Sequence, residues 1–405
     1  MRNHRRIARV CTASIQNGFK ATGRSTQVFH GLYVGHKRRI IHPLSLLFGF
    51  LLLPSSILNL MSIDPIQLTK QLVDVESTTY HEAPAGEFLA AYLAAQGYII
   101  ERQPVAQPDP AKNPSAGTGP RFNVYASLPG VTPDIVFSSH MDTVPPFLGP
   151  CREDADFLYG RGTCDAKGII ATQIAAAEKL QAAGKRVALL YVVGEERDSA
   201  GALVANQSPK GSRFLINGEP TDNSLALASK GCLRVELRAH GKMAHSAYPE
   251  LGDSAIDKLL AALHDIQALP LPVIEGIGDC TLNIGTIHGG IAPNVISDKA
   301  EAQILIRLVG PPEAIMDSIV RAADGRCEVN FTLKLPYLHM RAIPGFNTMI
   351  AKFTTDIPSL TAWGEPFLLG PGSILVAHTP DERIRKSELL ECIDLYVKLT
   401  NSLLG

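Results

Sequence analysis

Ile135-Val-Phe-Ser-Ser-His-Met-Asp-Thr-Val-Pro145 is the stretch that decides the architecture. A short apolar run stops at a serine pair and gives way to a histidine, an acid and a proline. A run this short, rich in β-branched and aromatic residues, reads as a buried strand. Polar residues massed at its carboxyl end mark the side of an open α/β sheet where sites gather. The same punctuation recurs downstream. Gly160-Arg-Gly-Thr-Cys-Asp-Ala-Lys-Gly168 leads into an alanine-rich helical pattern over 167–183. Val193-Gly-Glu-Glu-Arg197 closes the apolar run 186–193, and Asn217-Gly-Glu-Pro-Thr221 closes the run 213–217. Gly370-Pro-Gly-Ser-Ile-Leu-Val-Ala-His-Thr379 ends on His378. Apolar strands alternating with helical segments specify an α/β unit, with a mixed central sheet and flanking helices.

Outward from that core, residues 64–97 read as two helical pieces broken around 77–80. Asp64 is placed as N-cap and Pro65 as the first helical residue. Residues 103–120, rich in Pro, Ala and Gly, read as a loop. After Lys230 the pattern changes. Residues 231–240 alternate like a half-exposed strand, and a helix is expected at 252–268. Strands at 281–287 and 299–309, a helix at 311–323 and a strand at 327–335 follow. Two strand–helix–strand halves make a small α+β domain with one exposed sheet, inserted into the larger unit. The expected division is 61–229 and 339–405 for the larger domain and 230–338 for the insert.

The 405 residues, 45% of them hydrophobic, suffice for more than one core. The net charge of −1 argues against a nucleic-acid partner. It hides an asymmetry: residues 1–60 carry nine of the 38 Lys/Arg and no acid, so the remainder holds 29 basic residues against 39 acidic ones, a net of −10. This basic leader ends in an uncharged stretch, 44–60. Basic-then-apolar order suggests a secretion signal or short anchor. The long basic part, Pro54 and the lack of a small-residue cleavage site favour Met61 as the functional start, with 1–60 disordered or outside the mature enzyme. Seven cysteines, odd in number and without metal-finger or redox spacing, fit a reducing, cytoplasmic setting. A membrane-anchored or exported enzyme is the alternative if 1–60 belong to the mature chain.

Each polar strand end is weak alone; together, in this order, the residue types make chemical sense. Zinc takes imidazole nitrogen and carboxylate oxygen, and a catalytic site keeps a position open for water. A pair of metal ions needs a bridging ligand. Asp165 can give one oxygen to each ion, His140 and His378 can each cap one, and Glu196 and Glu219 can complete the shells. Two dications against three carboxylates and one hydroxide make a neutral cluster, which can be buried. Asp142, two residues from His140, can accept the imidazole's second N–H and fix its tautomer. Adjacent side chains on extended backbone point apart. Glu195 can therefore face the water as general base while Glu196 faces a metal.

These motifs, Ser-Ser-His-Met-Asp-Thr-Val-Pro-Pro, Gly-Arg-Gly-Thr-Cys-Asp-Ala-Lys-Gly, Gly-Glu-Glu-Arg-Asp-Ser-Ala-Gly, Gly-Glu-Pro-Thr and Gly-Pro-Gly-Ser-Ile-Leu-Val-Ala-His-Thr-Pro-Asp-Glu, give the chain a resemblance to a dinuclear zinc family. That family comprises acetylornithine deacetylase, succinyl-diaminopimelate desuccinylase, aminoacylase and glutamate carboxypeptidase, and the likeness covers roughly 62–400. It implies metal ligands at His140, Asp165, Glu196, Glu219 and His378, the base at Glu195 and the histidine-orienting acid at Asp142. It implies that the insert is a ferredoxin-like lid through which a homodimer forms. His245 then matches a histidine that polarises the substrate carbonyl in the partner's site, Asn294 a lid asparagine near substrate and Arg307 an arginine for the substrate carboxylate. Ser373 is a further candidate for the pocket lining. Cys164, just before Asp165, reads as a small packed residue, with thiol oxidation as the alternative.

The expected enzyme is a metal-dependent hydrolase using two Zn²⁺, with Co²⁺ or Mn²⁺ as possible substitutes. It would cleave the amide of an N-acyl amino acid, in the manner of acetylornithine deacetylase, through a metal-bound hydroxide and a glutamate base. A dipeptidase, aminopeptidase or carboxypeptidase acting on short peptides with the same core is the alternative. A non-catalytic dimeric binding protein would lack a ligand or the base, and all seven positions are filled.

Overall fold

The computed structural model describes residues 63–111 and 113–405; the expectations for 1–60 lie outside them. Six strands form the central sheet in the order Ile99–Val105, Arg121–Ser127, Val187–Val192, Ile135–His140, Phe214–Asn217 and Glu365–Leu368. Arg121–Ser127 is antiparallel to both its neighbours, and all later neighbours are parallel. The sheet is covered on both faces, so Ile135–His140 and Val187–Val192 are buried at every position. Alternate side chains feed two cores. Ile135 and Phe137 pack with Ile170 and Ile174 of the helix Lys167–Ala182, and Val136 and Leu190 with Trp363.

Register delivers the site. His140 lies opposite Val192, and Ser138 opposite Asn217. Three parallel strands therefore end at the same edge, and the polar residues after each meet there. At the other side of the sheet, residues 103–105, expected in a loop, belong to the edge strand Ile99–Val105. Its inward positions are Gln103 and Val105, so a polar residue carries half of the alternation. Pro104 is compatible with an edge strand.

The insert is a β-α-β-β-α-β unit. Its antiparallel sheet runs Thr281–Gly289, Lys299–Leu308, Gly231–His240, Glu328–Leu335. Leu233, Val235, Leu237 and Ala239 face the helices Ala255–Gln267 and Glu313–Ala323 and form a separate core with Ile304, Ile306 and Ile319. The first helix begins at Ala255, later than expected, because Ser254 caps it by accepting the Asp257 N–H. Cys232 and Arg234 alternate to the other face, beside Leu305 and Arg307. The fold is thus a mixed α/β domain with a ferredoxin-like insert. No helix among the described residues is long and apolar enough to cross a membrane. Six cysteines among them are free.

Candidate metal centre

Each strand end contributes one piece. His140 is the last residue of Ile135–His140. Glu195 and Glu196 follow Val187–Val192 through a turn at Gly194, where φ is 85° and a Cβ would lie 2.7 Å from Arg121 Nη2. Only glycine fits there without displacing that guanidinium. Glu219 follows Phe214–Asn217, and Asp165 lies in the turn that opens the helix Lys167–Ala182. His378 has φ 63°, an uncommon backbone conformation for any residue but glycine.

These residues converge on Asp165. His140 Nε2 lies 2.9 Å from Asp165 Oδ1 and 3.9 Å from Glu219 Oε2. His378 Nε2 lies 3.3 Å from Asp165 Oδ2 and 3.0 Å from Glu196 Oε2. Candidate ligand atoms of His140, Asp165 and Glu196 all fall within 4.8 Å of one another. The arrangement has two lobes, His140–Glu219 and His378–Glu196, joined by one carboxylate.

Asp142 is fully buried and does more than sit beside His140. The imidazole Nδ1 lies 2.9 Å from the Asp142 main-chain oxygen, whereas the nearer carboxylate oxygen is 3.6 Å away. The carboxylate itself accepts the main-chain N–H groups of Gly194, Glu195 and Glu196 at 2.9, 3.1 and 3.3 Å, and the Thr79 hydroxyl at 2.8 Å. The orienting contact expected from the Asp142 carboxylate is therefore made by its backbone, because the carboxylate is committed to the turn that carries both glutamates.

Electrostatics set the acids apart. Burial, then the neighbouring Glu219 carboxylate, pushes Glu195 well above the usual carboxylate range. Burial likewise raises Glu219 and Glu196. Burial would raise Asp165 too, but its contacts with His140 and His378 outweigh that and hold it low. Hydrogen bonding to Asp165 and Glu196 lifts His378 to about 10. Asp356, which no sequence signal marks, is buried with neither carboxylate oxygen partnered; burial raises it to about 7.

A cleft of about 350 Å³ opens on these residues. Glu195, Glu196, Glu219 and His378 line one side; Arg307 and Arg234 of the lid line the other. Arg307 Nη1 donates to Thr354 Oγ1 at 3.5 Å. Arg234, two residues from the partner of Arg307 in the sheet, escaped the sequence reading because an exposed strand arginine has no distinguishing neighbours. His245 and Asn294 lie close together, with the Ser246 N–H donating to the Asn294 oxygen at 3.0 Å, and both are exposed. Neither lines the cleft of its own chain. Ser373 turns its hydroxyl to Asp222 at 3.4 Å and is not among the lining residues either. Cys164 is fully buried, and burial raises its thiol well above the usual range, which fits a packing role.

The donor set fits a pair of divalent metal ions. Two imidazoles and several carboxylates are the ligands borderline metals choose. Among the described residues no Lys or Arg forms a salt bridge with Asp165, Glu195, Glu196 or Glu219, and Glu219 Oε1 is buried without a hydrogen-bond partner. A buried charge without compensation costs about 3–5 kcal/mol. Cations between these acids would supply what the side chains do not.

Comparison with known proteins gives a consistent picture. A family model described as peptidase family M20/M25/M40 matches residues 136–402. A peptidase M20 domain-containing protein of Schizosaccharomyces pombe is 38% identical over 343 residues, covering 82% of this chain and 83% of the relative. A protein of Aspergillus fumigatus named "Probable carboxypeptidase" is 36% identical over 385 residues, covering 83% and 86%. The crystal structure of aminopeptidase PepT from Bacillus cereus shares the fold, with a TM-score of 0.67 at 22% identity, over 85% of this chain and all of that one.

Proposed function

Because the chain belongs to peptidase family M20/M25/M40, a family of metallopeptidase hydrolases of amide and peptide bonds, we propose that it cleaves the amide joining a C-terminal amino acid, with its free carboxylate, to an acyl or peptidyl group. One observation carries this reading: the two Asp165 oxygens each face a different histidine, across the cleft from Arg307.

His140, Asp165 and Glu219 would hold one ion, and Asp165, Glu196 and His378 the other, with zinc as the metal the donor set suits best. Bound metal supplies Lewis acidity and a water that ionises near neutral pH. Glu195, held by the Asp142-anchored turn and raised by burial, would take a proton from the attacking water and pass it to the leaving nitrogen. Arg307 receives the substrate carboxylate with its two-pronged donor. His245, exposed and away from the cleft of its own chain, suits a donor to the substrate carbonyl in a second copy. That reading makes the working unit a homodimer joined through the lid, with Asn294 alongside His245. Free cysteines support a reducing compartment.

Two observations bear on the acyl side. Gly218-Glu-Pro-Thr221 and the run 370–382 lean toward acetylornithine deacetylase and an N-acyl substrate. The name of the Aspergillus relative favours a peptide. Both present the same leaving amino acid to the same residues. A panel of N-acetyl amino acids and dipeptides, each with a free or an amidated C-terminus, tests the proposal. Cleavage confined to free carboxylates supports it; equal cleavage of amidated compounds overturns it.

A further inference from the structure

Glu382 is a buried carboxylate that the proposed chemistry does not use. Its side chain is fully enclosed, four residues beyond His378. Oε1 faces the main-chain N–H groups of Gly162, Asp165 and Cys164 at 2.8, 3.3 and 3.4 Å. Oε2 accepts from Arg161 Nη1 at 2.5 Å. The Glu382 main-chain oxygen accepts the Gly160 N–H at 3.0 Å. Both the side chain and the carbonyl of one residue are thus spent on the segment that delivers Asp165.

The fold explains the meeting. The strand Arg383–Arg385 pairs antiparallel with Phe157–Tyr159, Arg383 opposite Tyr159, so Glu382 lies against the turn that begins at Gly160. Arg161 Nη1 also reaches the Thr379 oxygen at 3.4 Å. The segment from His378 to Glu382 therefore touches Asp165 twice, through the His378 ring and through the Glu382 carboxylate. A carboxylate, with two acceptor oxygens, suits several main-chain N–H groups and a guanidinium together. Packing alone would be served by an apolar residue.

We infer that Glu382 is a positioning residue that fixes the spacing of Asp165 and His378 and so pre-forms the lobe of the metal centre made by Asp165, Glu196 and His378. This rests on the reading of Asp165 as a shared ligand. Outer-shell partners of metal ligands typically change affinity about 10–100-fold when removed.

The test is Zn²⁺ titration of metal-depleted full-length protein against a chromophoric chelator, for wild type, Glu382→Leu, Glu382→Gln and the lid-core control Ile319→Ala. Circular dichroism and thermal unfolding accompany each titration. Wild type should bind two ions. Glu382→Leu should weaken one of them by up to about 100-fold and Glu382→Gln, which keeps an oxygen for the N–H groups, by about 10-fold. Ile319→Ala should lose stability and keep both affinities. If Glu382→Leu does not fold, the isosteric glutamine variant decides. Folded Glu382→Gln with both affinities unchanged overturns the inference. Wild type that binds no zinc overturns the proposed function instead.

Discussion

One oxygen of Asp165 lies 2.9 Å from Nε2 of His140, a contact made at the carboxyl end of a buried parallel strand. The other oxygen of the same carboxylate lies 3.3 Å from Nε2 of His378. A carboxylate whose two oxygens serve two imidazoles is the geometry of a bridge. The sheet register brings His140 in beside the strand that ends before Glu195 and Glu196. The segment 378–382 brings in the opposite side. The proposed function rests on that convergence, since three acids, two histidines and a base can serve hydrolysis only if they share one point.

Glu195→Gln removes the proposed proton acceptor and leaves the proposed metal ligands in place. Turnover should fall about 10²–10⁴-fold, with zinc content unchanged. Steady-state rates and elemental analysis on the same preparation check it, and a variant that keeps most of its turnover contradicts the base assignment.

Arg307→Ala should raise KM for substrates with a free C-terminal carboxylate by about 10- to 100-fold, matching a charge-assisted contact of ~1.5–3 kcal/mol. The small change expected in kcat marks an interaction shared by ground and transition states. A purely electrostatic role would be rescued by Arg307→Lys, whereas two-pronged recognition would be rescued only in part.

Mixing two inactive variants tests the dimer. Glu195→Gln and His245→Ala chains, unfolded and refolded together, should recover about a quarter of wild-type activity, the statistical share of sites that combine intact Glu195 with the partner's intact His245. Recovery of none indicates that His245 acts within its own chain.

Stability should fall on the alkaline side. Burial pushes the Tyr98 phenol up to about 12 in the folded chain, against an ordinary value of 10. Between those values the unfolded chain has lost a proton that the folded chain keeps, so rising pH favours unfolding. Urea midpoints should decline across that window, and more shallowly in Tyr98→Phe. An identical slope in the variant contradicts the assignment.

The central site was readable because its residues sit where apolar runs end. His140, Glu195, Glu196 and Glu219 each follow such a run, and His378 closes a glycine-rich one. Alternation with buried helices in residues 231–335 likewise announced the lid. Other features carried no such mark. Asp356 lies in a segment without strand-end punctuation, and its proximity to Glu195 and Glu219 arises only from tertiary packing. The edge strand Ile99–Val105 hid behind Gln103 and Pro104. The division of labour in Asp142 depends on hydrogen bonds to residues more than fifty positions away, which local sequence does not encode.

The most direct test of the account is anomalous diffraction from crystals grown with Zn²⁺. The account predicts two peaks flanking the Asp165 carboxylate, one bounded by His140 and Glu219 and the other by Glu196 and His378. A single peak, or zinc bound only away from Asp165, would contradict it.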